Sequence, residues 1–165
     1  MADRGENVLE VSGEGNQLRR FREIADETIV PLSKRDPYHG EMSPSVLSFH
    51  RLYPIPDTVI ALGYDPPGGG YDWQKKNWGV KWGAADATFE SGRGWMRYVF
   101  DTAWEPPLSW LTKVSPDYPL LTFELSFRDP ISNWVDEYVF RDGEQMEDEE
   151  EIEEYRDAKN PAQIL

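Results

Sequence analysis

The sequence predicts an α+β fold, a split β-α-β antiparallel sheet with helices on one face. Three observations predict it. Leu121, Phe123, Leu125 and Phe127 alternate strictly with Thr122, Glu124, Ser126 and Arg128, the pattern of a strand with one buried face. Residues 85–102 read as a hairpin, two β-rich runs about the turn Ser91-Gly92-Arg93-Gly94. An amphipathic helix stands before the hairpin and a short Pro-initiated helix after it, each between strands.

In chain order, Asn7 to Gly13 carries Val8, Leu9 and Val11 before a glycine and reads as the first strand. From Asn16, the expected N-cap, Leu18, Phe21, Ile24 and Ala25 recur at helical spacing, with Arg19, Arg20, Arg22 and Glu23 on the other face. This helix is expected to end near Pro31. Residues 31–44 hold Pro31, Pro37, Gly40 and Pro44 and read as loop. Ser45 to Tyr53 is expected to be a short strand through Val46, Leu47 and Phe49. The Pro- and Gly-rich run 63–70 is neither helix nor interior strand and reads as a mobile surface loop. In the hairpin, Met96, Tyr98 and Phe100 share one face. Pro106 and Pro107 open a short helix that buries Leu108, Leu111 and Val114, because first-turn amides need no partner. Trp134 to Arg141 is the last strand, at an edge. The order β-α-β-β-α-β is the split pattern of ferredoxin-like folds. Residues 1–143 then form a single domain, with about 31–84 as a long Pro/Gly/Trp-rich insertion. One face of the sheet carries the helices, and the insertion is the available cover for the other.

From Glu144 to Asp157 there are nine acids and one Arg, so this stretch accounts for about -8 of the net charge of -14. Like charges repel, and residues 144–165 read as an acidic tail or a frayed acidic helix. A surface this acidic disfavours binding to nucleic acid or to an anionic membrane. It favours a basic protein partner, met through Glu147, Asp148, Glu149, Glu150, Glu151, Glu153 and Glu154 as well as the acidic body. The chain has no cysteine, which excludes disulfides and thiolate chemistry. It shows no secretory signal and no apolar run long enough to span a membrane, so the expected place is the bacterial or host cytoplasm, with the virion as the alternative.

Chemistry-bearing patterns are sparse. His39 and His50 lack the ligand spacing of a metal site, and the glycines before Lys75-Lys76 lack the Lys-Ser/Thr of a phosphate loop. No metal and no cofactor is expected, and nothing pairs a nucleophile with a base. Two Trp-rich stretches stand out, Asn77 to Ala85 and Asp101 to Leu111, and they are expected to fold against each other. The candidate site they offer comprises Trp73, Asn77, Trp78, Lys81, Trp82, Asp101, Trp104 and Trp110. In one reading the rings are core and Lys81 snorkels past them; in the other Asp101, Lys81 and Asn77 set polar contacts for a ligand between aromatic walls.

The chain resembles a known family on Tyr71-Asp72-Trp73, Asn77-Trp78-Gly79-Val80-Lys81-Trp82 with Ala85 behind, Phe100-Asp101-Thr102-Ala103-Trp104, Pro106-Pro107 and Trp110-Leu111. Leu47-Ser48-Phe49 before Leu52, Pro54 and Pro56 is also similar. These are the YubB-type and Api-type proteins of plasmids and phages, with a ferredoxin-like domain. The resemblance covers about Asn7 to Asp142. It departs where the family has Trp-Cys near the first strand, and where Asp129 to Trp134 replaces a Gly-rich segment. It implies a fold and a mobile-element origin and no catalytic residues. The expected function is therefore a non-enzymatic phage or plasmid interaction protein, one form being an inhibitor that mimics nucleic acid. The alternatives are a structural or accessory component of a phage particle and a small-ligand module built on the Trp motifs.

Overall fold

The computed structural model describes residues 3–39 and 43–147. Its elements run β1 (Arg4–Gly13), α1 (Gly15–Ala25), α2 (Phe49–Leu52), α3 (Asp57–Ile60), α4 (Gly70–Asn77), β2 (Ala85–Gly92), β3 (Trp95–Ala103), α5 (Leu108–Val114), β4 (Leu121–Arg128), β5 (Val135–Arg141) and β6 (Glu144–Gln145). The sheet has six strands in the order β2-β3-β1-β4-β5-β6, and every pairing is antiparallel. β1 lies between β3 and β4, so both helical connections skip a strand, as the predicted split arrangement requires.

Leu9 and Val11, Met96, Tyr98 and Phe100, and Leu121, Phe123 and Leu125 point to one side and meet Leu18, Phe21 and Ala25 of α1 in a single core. Phe21 packs edge-on to Tyr118, with ring centroids 5.1 Å apart. The helix is capped by Glu14, whose carboxylate accepts the amides of Asn16 and Gln17 at 2.9 and 2.8 Å, and not by Asn16 as expected. Asn16 instead accepts from Arg19 inside the helix. The helix stops at Ala25 because Asp26 turns extended and caps a short 3-10 turn, Glu27–Ile29.

The insertion does not cover the other face of the sheet. Leu47, Phe49, Leu52, Ile55, Trp78 and Val80 join the same core as α1. A six-stranded sheet is about 24 Å wide at roughly 4.8 Å per strand, while α1 and α5 are each about 10 Å across, so apolar area on the helical face is left for the insertion. The backbone ties it there: the Ser48 amide donates to Ala25 O at 2.8 Å, and Arg51 Nε to Ile24 O at 2.7 Å.

Ser45 to Tyr53 contains helix α2 and no strand. Its apolar residues alternate too briefly to distinguish a strand from a buried turn, and Ser48 supplies the cap. The Gly-rich run is held by its own backbone, with Gly69 N on Pro66 O at 2.9 Å and Gly70 N on Gly63 O at 3.0 Å. It leads into α4, an element that the sequence reading lacks. Glu144 and Gln145, placed in the tail from sequence, pair with Arg141 and Phe140 as β6. Glu147 is exposed; Asp148, Glu149, Glu150, Glu151, Glu153 and Glu154 lie outside the described residues.

Candidate functional site, a groove beside a strained strand end

The two Trp-rich stretches do meet. Trp110 stacks on Phe49 at 4.0 Å, Phe49 stands edge-on to Trp78 at 5.6 Å, and Trp73 packs against Trp78 at 5.7 Å. Trp110 N donates to Trp78 O, which joins α5 to the end of α4. Trp78 and Trp110 are fully buried, and their indole N–H groups are taken by Tyr53 O and Phe49 O. Trp73 is half-buried against Tyr53. Asn77 turns its amide back to Trp73 O at 2.9 Å. These four residues are placed as core and helix end. Lys81 lies 4.1 Å over the Trp82 ring, a contact worth about 0.5–1 kcal/mol where water reaches it. Trp104 is exposed.

Trp82 and Asp101 belong together elsewhere, in a groove of about 310 Å³ also lined by Arg4, His39, Ser45, Gly83, Asp86 and Thr102. Gly83, Ala84, Ala85 and Ala87 leave the space because their side chains are small. The backbone here is strained. Trp82, Asp86 and Trp104 have φ of 73°, 52° and 65°, in a region that costs a non-glycine residue about 1–2 kcal/mol. Asp86 sits in a bulge: Ala85 pairs with Asp101 and Thr88 with Val99, so Asp86 and Ala87 oppose Phe100 alone. The bulge turns Asp86 toward Arg4, whose guanidinium it meets at 3.0 Å. The Trp82 amide is fixed by the buried Gln74 side chain at 2.9 Å.

Burial raises the Asp101 carboxyl above its usual range, Arg4 pulls it back, and Asp86 and Glu6 push it up again. The groove therefore presents two acids against one guanidinium, beside an indole. Ser45 Oγ is engaged by Leu47, donating to its O and accepting from its N. Among the described residues no group of three or more His, Asp or Glu could hold a metal ion. Asp86 and Arg4 were not among the sequence candidates. Their signal was the small-residue run before Asp86 in a stretch otherwise crowded with rings.

Outside the groove lining, His50 of α2 accepts the Ile55 amide on Nδ1 at 3.0 Å. Burial lowers its pKa, partly offset by Asp36 and Glu27. The unfolded chain thus takes up the proton more readily than the folded one. The effect is absent well above the ordinary histidine value of about 6.5 and increasingly favours unfolding as the pH falls through it. Thermal unfolding from pH 7.5 to 5.5 should show His50→Asn, which keeps an acceptor for Ile55, losing less stability than the parent. Equal losses would exclude His50 as a source of the pH dependence.

A split, fully antiparallel sheet with both helices on one face defines the ferredoxin-like class. The family model for the ferredoxin-like domain in Api92-like protein matches residues 77–164, just over half of the chain, and the chain belongs to that family. The fold is similar to the crystal structure of Api92 from Yersinia pseudotuberculosis, with a TM-score of 0.59 and 9% identity over 90% of this chain and 98% of that one. No curated protein matches the chain. Among the described residues no helix is long and apolar enough to cross a membrane.

Proposed function

We propose that the chain is a non-enzymatic interaction protein of a phage or plasmid whose acidic surface engages a basic protein partner, with the groove at Asp86 and Asp101 receiving a cationic side chain. The observation that carries this reading is the convergence of these two carboxylates at the Trp82 corner. They are brought together across the hairpin on a strained bulge, in a protein of net charge -14. Strain of this kind tends to be kept at sites that do work, and a field of one sign steers a partner of the other. The buried indoles then serve as the frame that holds the groove's rim.

The test is capture of partners by the full tagged chain from nuclease-treated host lysate at low and high salt, beside Asp86→Asn/Asp101→Asn. A stoichiometric basic partner should be retained at low salt and released at high salt, and the double variant should bind it about tenfold more weakly, about 1.4 kcal/mol. Association that ignores both salt and the variant would sink the reading. The size of the groove also suits a small ligand, so if no partner is captured a screen by indole fluorescence follows.

A further inference from the structure

β2 is the outermost strand on its side of the sheet, paired with β3 and with no other strand among the described residues. The opposite margin is finished differently, because the short β6 pairs along the end of β5. Parity along β3 tells which atoms β2 leaves free. Gly94 O accepts from Gly13 N, Phe100 O from the Asn7 side chain, and Trp104 N donates to Asp3 O, so even-numbered positions along β3 turn their backbone polar groups toward β1. Trp95, Arg97 and Val99 then turn theirs toward β2, where they face Gly92, Glu90 and Thr88. Phe89 and Ser91 are left with N–H and C=O groups pointing away from the sheet.

Such an edge is a template for another strand, and proteins ordinarily guard it with Lys, Pro, a bulge or a cover. β2 holds no Lys and no Pro, and its bulge lies at Asp86 and Ala87, clear of Phe89 and Ser91. Thr88, Glu90, Ser91 and Gly92 are exposed. The strand is nonetheless firmly seated: the Phe89 ring packs against Tyr98 with centroids 5.0 Å apart, and the Arg22 guanidinium lies 4.3 Å over it.

We propose that an extended segment of the basic partner adds to this edge as a further strand and lays a Lys or Arg into the groove at Asp86 and Asp101. The inference rests on the partner reading above and gives it a binding mode, in which main-chain bonds hold the segment and the groove selects its charge. From Phe89 to Asp86 is about 10 Å of strand, so a segment of about five or six residues bonded at Ser91 and Phe89 reaches the groove. At this corner Glu6, Asp86, Glu90 and Asp101 stand against Arg4 and Arg97, a surplus of acid that suits a cationic strand. A second copy of the chain suits it less. Pairing Phe89 with the Ser91 position of another β2 would bring two Glu90 carboxylates directly opposite each other, which is destabilising.

Amide hydrogen exchange of the full chain, read residue by residue by NMR, tests this. In the dilute free chain the Phe89 and Ser91 amides should exchange faster than those of Thr88 and Glu90, which lie in the ladder. The probe is a short blocked peptide alternating Thr and Val around a single Arg. At about ten times its Kd, exchange at Phe89 and Ser91 should slow about tenfold. Replacing the Arg of the peptide by Glu, or using Asp86→Asn/Asp101→Asn, should weaken binding about tenfold. Ser91→Pro removes an outward N–H and keeps the ladder bonds, as Pro is accepted on an edge whose N–H faces solvent; the slowing at Phe89 should be lost. Slow exchange at Phe89 and Ser91 in the dilute free chain, or no response to about 1 mM peptide, overturns the proposal. So does slowing that grows with the concentration of the chain alone, which places the contact between copies. If the Arg peptide shifts the Trp82 and Asp101 signals while Phe89 and Ser91 exchange as before, the strand addition is overturned and the groove reading stands. Slowing at the edge that ignores both charge changes overturns the joint placement, and the groove reading with it.

Discussion

Trp110→Ala should lower the free energy of unfolding by about 3–5 kcal/mol, the cost of emptying a large aromatic site in a close-packed interior. Its ring stacks on Phe49 at 4.0 Å, and Phe49 in turn meets Trp78 and Phe100 edge-on, so one side chain joins α5, the insertion and the inner face of β3. Neighbours on three elements have little freedom to collapse into the gap. Urea denaturation checks this, and Trp104→Ala is the internal contrast. That ring is exposed, and its loss should cost well under 1 kcal/mol. Similar costs for the two variants would contradict the assignment of Trp110 to the core and Trp104 to the surface.

Glu27→Gln should cost about 2–3 kcal/mol, unusual for a change of one atom type. Glu27 is 2% exposed and its two carboxylate oxygens each accept a backbone amide at 3.0 Å, from Ser45 and from Asp36, while its own amide bonds Ser45 O. An amide side chain offers one acceptor, and its NH2 group would face the second N–H. A charge-assisted bond is lost and a buried donor is left without a partner. Because Glu27 clasps both ends of the loop 36–45, amide exchange at Asp36 and Ser45 should quicken beyond the global change. If Gln is accommodated without loss, the clasp is not what holds the loop, and the Ser48 and Arg51 bonds to α1 hold it instead.

Glu27 also shows where sequence reasoning stops. It lies in an acidic run with Glu23 and Asp26, which reads as solvated face, and nothing local marks the one carboxylate turned inward. The backbone amides that it serves are 9 and 18 residues away. Helix α4 was hidden for a different reason: Gly70 opens it and Lys75 and Lys76 lie in its last turn, so it has no continuous apolar stripe to betray it. The strand expected near Phe49 failed because a short apolar run fits a buried turn as well as a strand. Where periodicity was long enough it was read correctly, as with Leu121–Arg128, the β2–β3 hairpin and the helix of Leu18, Phe21 and Ala25.

By itself the sequence determined the β-α-β-β-α-β frame of β1, α1, β2, β3, α5 and β4, the face these turn to the core, and the meeting of the two Trp-rich stretches. These follow from periods of 2 and 3.6 residues and from proline and glycine punctuation, which act over a few neighbours. The tertiary structure alone decided which indoles are buried, on which side of the sheet the insertion lies, and that Asp86 and Asp101 converge. Those outcomes depend on register across strands, on one bulge, and on how much apolar area two short helices leave uncovered. None of these is a property of any short stretch of chain.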